Sequence, residues 1–362
     1  MTYSFKQKLG AIAYDLPRFL WSMRPSSRHP WVFMRNRNER LSPGPGRRSP
    51  SGAQCDWQWT SDLHIAKVFP ALGRSLMKRS LRDWPIGFRA HPLQRKETTQ
   101  ISFVIGHRGM DRLPHLLLTL QSVAAQREVA FECIVVEQSA VPEVKELVPT
   151  WVRYVHTPLP YADMPYSRAW AFNVGARVAR GEVLVLHDND MLVPADYVRE
   201  IIAHFREGHD VINLKRFVFY LNEEDSALVS ANGDLSLQVS ADSIMQNALG
   251  GSIAVSGKAY LALGGFDESF VGWGGEDNEF WERAETRSCW SYGYLPFVHI
   301  WHANQSGKYE QERETAKLLE RRLSLPARER IAELTARDFG NPRSSLVVGH
   351  RSSVAGHQSC AE

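Results

Sequence analysis

The sequence predicts an α/β domain: a mixed, mostly parallel sheet covered by helices. Two observations point there. From residue 100 onward, short apolar runs alternate with stretches of helical periodicity, as repeated β-α-β units require. One of those runs, Val183-Leu184-Val185-Leu186-His187, ends directly in Asp188-Asn189-Asp190. A buried parallel strand delivers polar groups to its carboxyl edge in this way, and that edge is where open α/β sheets bind ligands.

Residues 1–97 come first and read as a basic, Trp- and Pro-rich extension, partly disordered. They carry 18 Lys and Arg against six Asp and Glu, leaving 25 against 34 in the rest of the 362-residue chain, so the net charge of +3 hides a strong asymmetry. Lys6 and Lys8 before Leu9-Gly10-Ala11-Ile12-Ala13-Tyr14 superficially resemble a signal peptide, but Asp15 and Pro17 interrupt the apolar stretch, and the segment reads as uncleaved. Leu41 to Gly52, rich in Pro, Gly, Ser and Arg, reads as a loop or disordered linker. Leu63 to Pro70 and Leu76 to Arg82 read as short amphipathic basic segments, either lying on an anionic membrane or another protein or packed as a cap on the main domain.

The main domain is expected over 98–325. Ile101 to Ile105 is a strand, Leu113 to Ala125 a helix, Phe131 to Glu137 a strand and Val152 to Val155 a short strand. A helix over Ser167 to Ala179 leads to the strand ending at His187, and another helix runs from Asp196 to about Glu207. A less regular section with antiparallel strands follows, and 326–362 reads as a polar tail. No apolar run approaches the roughly 18 to 20 residues that span a bilayer. Cys55, Cys133, Cys289 and Cys360 show neither metal-ligand spacing nor the density of a disulfide scaffold, which favours a reducing cytoplasm.

Three constellations carry chemistry. Asp188 and Asp190 at a strand end can approach one polar ligand, and an Mg²⁺ or Mn²⁺ ion held by one or two carboxylates keeps positions open for phosphate oxygens. The bland alternative is a turn or a helix cap. Downstream, Gly272-Trp273-Gly274-Gly275-Glu276-Asp277 brackets an indole with glycines and acids. First-turn acids complementing a helix dipole explain Glu276 and Asp277, but not the aromatic, which suits the C–H face of a sugar. Finally, His299 and His302 offer imidazoles that can complete a metal site begun by Asp190.

With these residues in view, about 100 to 310 resembles the nucleotide-sugar glycosyltransferases of the GT-A fold, in particular the β-1,4-galactosyltransferase C-terminal type and its bacterial family 2 relatives. His107-Arg108-Gly109-Met110-Asp111-Arg112 is similar to the family's first nucleotide-binding loop, and Val136-Glu137-Gln138 to its second strand end. Tyr166-Ser167-Arg168-Ala169 with Asn173-Val174-Gly175 resembles the segment ahead of the metal motif, Asp188-Asn189-Asp190 the Asp-x-Asp, and Trp273 to Asp277 the Trp-Gly-Gly-Glu-Asp motif.

The resemblance implies a Rossmann-like GT-A fold, Asp190, His302 and His299 as ligands of Mn²⁺ or Mg²⁺, and Asp277 as general base with Glu276 on acceptor or donor hydroxyls. His107, Arg108, Arg112, Glu137, Arg168, Asn173, Asp188, Gly251 and Trp273 would line the donor site. His299 stands where the galactosyltransferases use Met, and Asn189 replaces their usual Val. The implied partners are a nucleotide-sugar donor and a glycan or glycolipid acceptor. The N-terminal hundred residues lie outside the resemblance, and their basic composition adds the expectation of a cytoplasmic protein with peripheral attachment to the inner face of the membrane. A nucleotidyltransferase or nucleotide-sugar hydrolase of the same fold, or a non-catalytic carbohydrate-binding protein, are the competing readings. Nucleic acid is disfavoured because no reading motif accompanies the basic residues.

Overall fold

The computed structural model describes residues 3–46, 51–56, 60–93, 98–161, 163–235, 239–303 and 308–341. Its central sheet has seven strands in the order Cys289–Trp290, Val211–Ile212, Ser252–Ser256, Val183–His187, Ile101–His107, Phe131–Gln138, Arg153–Thr157. Ile101–His107 lies at its heart, parallel to both Phe131–Gln138 and Val183–His187. Every residue of that strand and of Val183–His187 is buried, which is why both read as continuous apolar runs instead of alternating ones. Ser252–Ser256 runs antiparallel to Val183–His187, with Ser252 opposite His187. The sheet is therefore mixed and mostly parallel, with helices Leu113–Ala124, Arg168–Val178 and Tyr197–Arg206 at the expected places.

A second sheet of five strands has the order Ser61–Asp62, Ala241–Gln246, Lys215–Leu221, Leu295–His299, Met191–Leu192. The chain crosses from one sheet to the other at the acidic motif: it leaves His187, passes through Asp188 to Asp190 and enters the second sheet at Met191. The acidic motif thus occupies the hinge between two sheets.

The N-terminal region is more ordered than its composition indicates. Leu41–Pro43 and Ala53–Cys55 pair antiparallel, with Leu41 opposite Cys55, so the Leu41–Gly52 segment, expected as a loop or disordered linker, supplies the first arm of a ribbon whose second arm follows it; residues 47–50 lie outside the described ones. Ala53 and Gly293 exchange backbone hydrogen bonds, which ties the ribbon to the main domain. The Leu63–Pro70 and Leu76–Arg82 segments pack inward. Leu63, Ile65, Leu76 and Met77 are buried in one core with Phe217, Ile244 and Phe297, so these segments act as the cap and not as a membrane face. Ser61–Asp62 forms the edge of the second sheet, and the buried Arg216 guanidinium donates to the carbonyls of Val32 and Met34 and to Gln246 Oε1. Among the described residues, those on either side of residue 97 share one core.

The C-terminal segment also differs from its reading as a polar tail. Ala327–Thr335 is a helix that buries Arg330 and Leu334. Arg330 pairs with Glu279 at 2.7 Å, and Glu279 is also gripped by Arg283, all three side chains being fully buried. The anchor is ionic, so a search for apolar periodicity passes over it. Residues 342–362 lie outside the described ones. Among the described residues no helix is long and apolar enough to cross a membrane. Cys55, Cys133 and Cys289 are free thiols, and Cys360 is outside the described residues.

Candidate active site

Strand register brings Asp190, His299 and His302 together. Leu295–His299 runs antiparallel to Met191–Leu192 with His299 opposite Met191, and the Ile300 N–H donates to the Asp190 carbonyl at 2.9 Å. His299 therefore lands beside Asp190, its Nε2 3.5 Å from Oδ1, while His302 Nε2 lies 3.4 Å from Oδ2. Tyr220, its neighbour in the parallel pairing, stacks on the His299 ring with centroids 4.4 Å apart.

These three donors fit a divalent ion. Ligand atoms each about 2.1 Å from one ion lie roughly 3.0 to 3.4 Å apart, depending on the angle between them. His302 Nδ1 meets the Ala303 carbonyl at 2.9 Å and carries the proton there, so Nε2 presents a lone pair to a carboxylate. Two acceptors facing each other call for a cation between them, and a ligating His commonly donates its other N–H to a carbonyl. Burial lowers the proton affinity of His302 against the pull of Asp190, which keeps the lone pair available. Burial pushes the Asp190 carboxyl up, but His299, Arg112 and His302 outweigh it and hold it below its usual range.

On the other side of Asp188 stands Arg168, at the start of the Arg168–Val178 helix whose N-cap is Ser167. Its Nε donates to Asp188 Oδ1 at 2.6 Å, and Nη1 to Asp277 Oδ1 at 2.6 Å and Glu276 Oε1 at 3.2 Å. Burial disfavours the charge on Arg168, yet Asp188, Asp277 and Glu276 together raise its pKa well above the ordinary arginine value. One guanidinium thus gathers acids from two motifs far apart in sequence. Burial, with the charge of Asp277 beside it, pushes the Glu276 carboxyl up to about 7. Glu276 and Asp277 open the Glu276–Ala284 helix, where the positive dipole end receives them. A Cβ at Gly250 would come within 2.1 Å of Asp277 Oδ2, so only glycine admits that carboxylate. Gly251 next to it, at φ +85°, accepts the Asp188 N–H at 2.9 Å.

The remaining residues expected at the donor fall into two groups. Arg112 is at the cleft, its Nη1 3.5 Å from Asp190 Oδ2, and the Trp273 indole is 46% exposed. Three others are spent within the protein. The Asn173 amide donates to the Phe266 carbonyl and Glu268 and accepts from Tyr260 Oη and the Phe266 N–H, filling all four of its positions. Glu137 accepts from Ser139, Tyr154 and the N–H groups of Glu143 and Val144. Arg108 donates to the Gln138 carbonyl and side chain and to the Met164 carbonyl. These three brace the loops around the cleft. His107 is buried too, and its Nδ1 accepts from Asn189 Nδ2 at 3.0 Å, which explains a polar residue in the middle of Asp188-Asn189-Asp190.

Sequence reasoning missed two residues. Lys215 is buried with its ammonium on the Ser252 carbonyl, and burial brings its pKa down to about 7 against the charges of Asp277 and Asp188. The signal was there: Lys215-Arg216 interrupts an otherwise apolar strand, and buried cations need partners. Trp301, 37% exposed, lies in sequence between His299 and His302, its carbonyl 2.9 Å from His115 Nε2.

Burial lowers the pKa of both His107 and His187 to about 4. The unfolded chain, with imidazoles near 6.5, binds more protons between those values, so stability is complete above about pH 6.5 and falls on acidification toward 4. Each histidine contributes up to about 1.4 kcal/mol per pH unit in that window. Glu276, raised to about 7, takes up a proton over the same window and opposes them, so the loss is read in the Glu276→Gln variant, whose melting temperature is expected to decline from pH 6.5 to 5; a flat profile there is the contrary result.

The chain belongs to the glycosyltransferase family 2-like proteins. The sequence model described as "Glycosyltransferase like family 2" matches residues 102–294, just over half of the chain. The match takes in Arg168, Asp188, Asp190, Glu276 and Asp277 and stops before His299 and His302. A solved structure titled "Crystal Structure of a Mycobacterial Protein" is similar over 63% of this chain and 76% of its own, at 16% identity and a TM-score of 0.41. No curated protein matches. The fold is of the GT-A type and the protein is a glycosyltransferase, whose family implies a nucleotide-sugar donor and a glycan acceptor.

Proposed function

We propose that this glycosyltransferase moves a hexose from a UDP-linked donor to a hydroxyl of a glycan or glycolipid at the inner face of the membrane, with inversion in a single displacement. The observation that carries this reading is the facing of two sets at the carboxyl edge of the sheet: Asp190, His299 and His302 on one side, and Glu276 and Asp277 gathered by Arg168 on the other.

Asp190, His299 and His302 would hold Mn²⁺ or Mg²⁺, which when bound supplies positive charge against the diphosphate. Arg112, beside Asp190, adds a guanidinium for the same phosphates. Asp188 faces the nucleotide ribose, and Trp273 offers its indole to a sugar. In the transfer, the acceptor oxygen attacks the anomeric carbon while the carbon–oxygen bond to the diphosphate breaks, its electron pair leaving on the diphosphate. Asp277 takes the hydroxyl proton. Glu276, with a pKa near neutral, holds the neighbouring hydroxyls as donor or acceptor.

Calorimetric titration of a panel of nucleotide sugars, with and without Mn²⁺, tests the reading. At least one donor is expected to bind more tightly with the ion, and Asp190→Ala is expected to weaken that ion-dependent binding by tenfold or more. Equal binding by both proteins, or no dependence on the ion for any donor, overturns it.

A further inference from the structure

We infer that the two N-terminal helices, Phe5–Tyr14 and Leu16–Ser22, form the surface by which the protein docks on an anionic lipid bilayer. Seventeen large apolar side chains are exposed among the described residues, and six of them, Phe5, Leu9, Ile12, Tyr14, Leu20 and Trp21, fall within this one short stretch. Such a concentration marks a surface meant to be covered.

The first helix has the pattern of an interfacial one. At about 100° per residue, Phe5, Leu9 and Ile12 fall within an arc of roughly 60° on one face. Phe5 is 77% exposed, and the other two are close to half exposed. Lys8 projects about 40° to one side of that stripe and Lys6 about 60° to the other. Lysines flanking an apolar stripe can lay their stems along it and keep their ammonium groups at the level of lipid headgroups. Ala11, on the other side, is buried, so the helix rests on the protein by the face that the stripe does not use.

The second helix inserts Phe19 into the protein and leaves Leu20 and Trp21 outside, and Trp is enriched at membrane–water interfaces. Charge selects the occupant. From residue 3 to 28 the cations are Lys6, Lys8, Arg18, Arg24 and Arg28, and the one acid, Asp15, is buried beside Arg18 and His64. A basic rim around an apolar stripe complements phosphate headgroups over acyl chains.

This inference rests on the reading of a membrane-presented acceptor, yet its test is independent of transfer. The full chain is sedimented with vesicles of phosphatidylcholine alone or with about one third phosphatidylglycerol, at low and high salt. Binding is expected on the anionic vesicles, weakened by salt. The Leu9→Ser, Ile12→Ser pair should reduce it by tenfold or more, and Lys6→Glu with Lys8→Glu by about fivefold per lysine. All of these side chains are exposed, so the melting temperature should be unchanged and Mn²⁺-dependent nucleotide-sugar binding should persist. Absence of vesicle binding, vesicle binding indifferent to both pairs, or a serine pair that instead dissolves a dimer in solution each overturns the inference. Loss of nucleotide-sugar binding in the unaltered protein would strike the transferase reading and leave the lipid surface standing.

Discussion

Asp277→Asn is expected to lower turnover by about 10²- to 10⁴-fold while leaving Mn²⁺-dependent donor binding in place, because the amide keeps the shape but cannot accept a proton. The structure sharpens what that experiment reads. Asp277 Oδ1 is held by Arg168 at 2.6 Å, and burial pushes the neighbouring Glu276 carboxyl up to about 7. A carboxyl group raised that far exchanges its proton near neutral pH. Glu276→Gln is therefore the paired measurement, expected to alter the pH profile more than the maximal rate. Should Glu276→Gln cost the larger factor and Asp277→Asn turn over normally, the two roles are exchanged.

Arg168→Met is expected to destabilise the protein by about 3 to 5 kcal/mol, since removing one partner of a buried ionic cluster leaves the others uncompensated. The melting temperature should drop by roughly 10 °C. Acid should partly restore the variant, and the sign follows from the group that remains. Without the guanidinium, Asp188, Glu276 and Asp277 repel one another, their folded-state proton affinities rise, and the folded state binds more protons than the unfolded one as pH falls from 7 toward 5. Both proteins carry the buried histidines, so the variant's added proton uptake narrows the gap and the two profiles are expected to converge. A variant melting within 2 °C of wild type, as measured by calorimetry, is the contrary result.

Much of the fold was legible because its central strands are buried on both faces and therefore continuously apolar. Asp188 and Asp190 were legible for the same reason, as charges at the end of such a run. The meeting of Asp190 with His299 and His302 was not, because it depends on a strand pairing between residues about a hundred positions apart. Asn173, Glu137 and Arg108 are a different case. Motif resemblance placed them at the donor, but a motif does not show where a side chain's hydrogen bonds go, and theirs go into the loops. The N-terminal cap and the C-terminal helix were hidden by chemistry: Arg216 on two carbonyls and Arg330 on Glu279 fasten segments whose composition looks polar and loose.

The edge strand Ser61–Asp62 gives homology and folding different boundaries. Residues 102–294 are what this protein has in common with its family. That shared stretch holds most of the second sheet but neither its covering layer, which comes from Trp31, Leu63, Leu76 and Met77, nor the strand that delivers His299. The matched stretch supplies the acids, whereas His299 and His302 come from the sequence that follows it and the covering layer from the sequence before. Changes in the flanks can therefore reshape the second sheet and the setting of Asp190 without touching Arg168 and the acids it holds together.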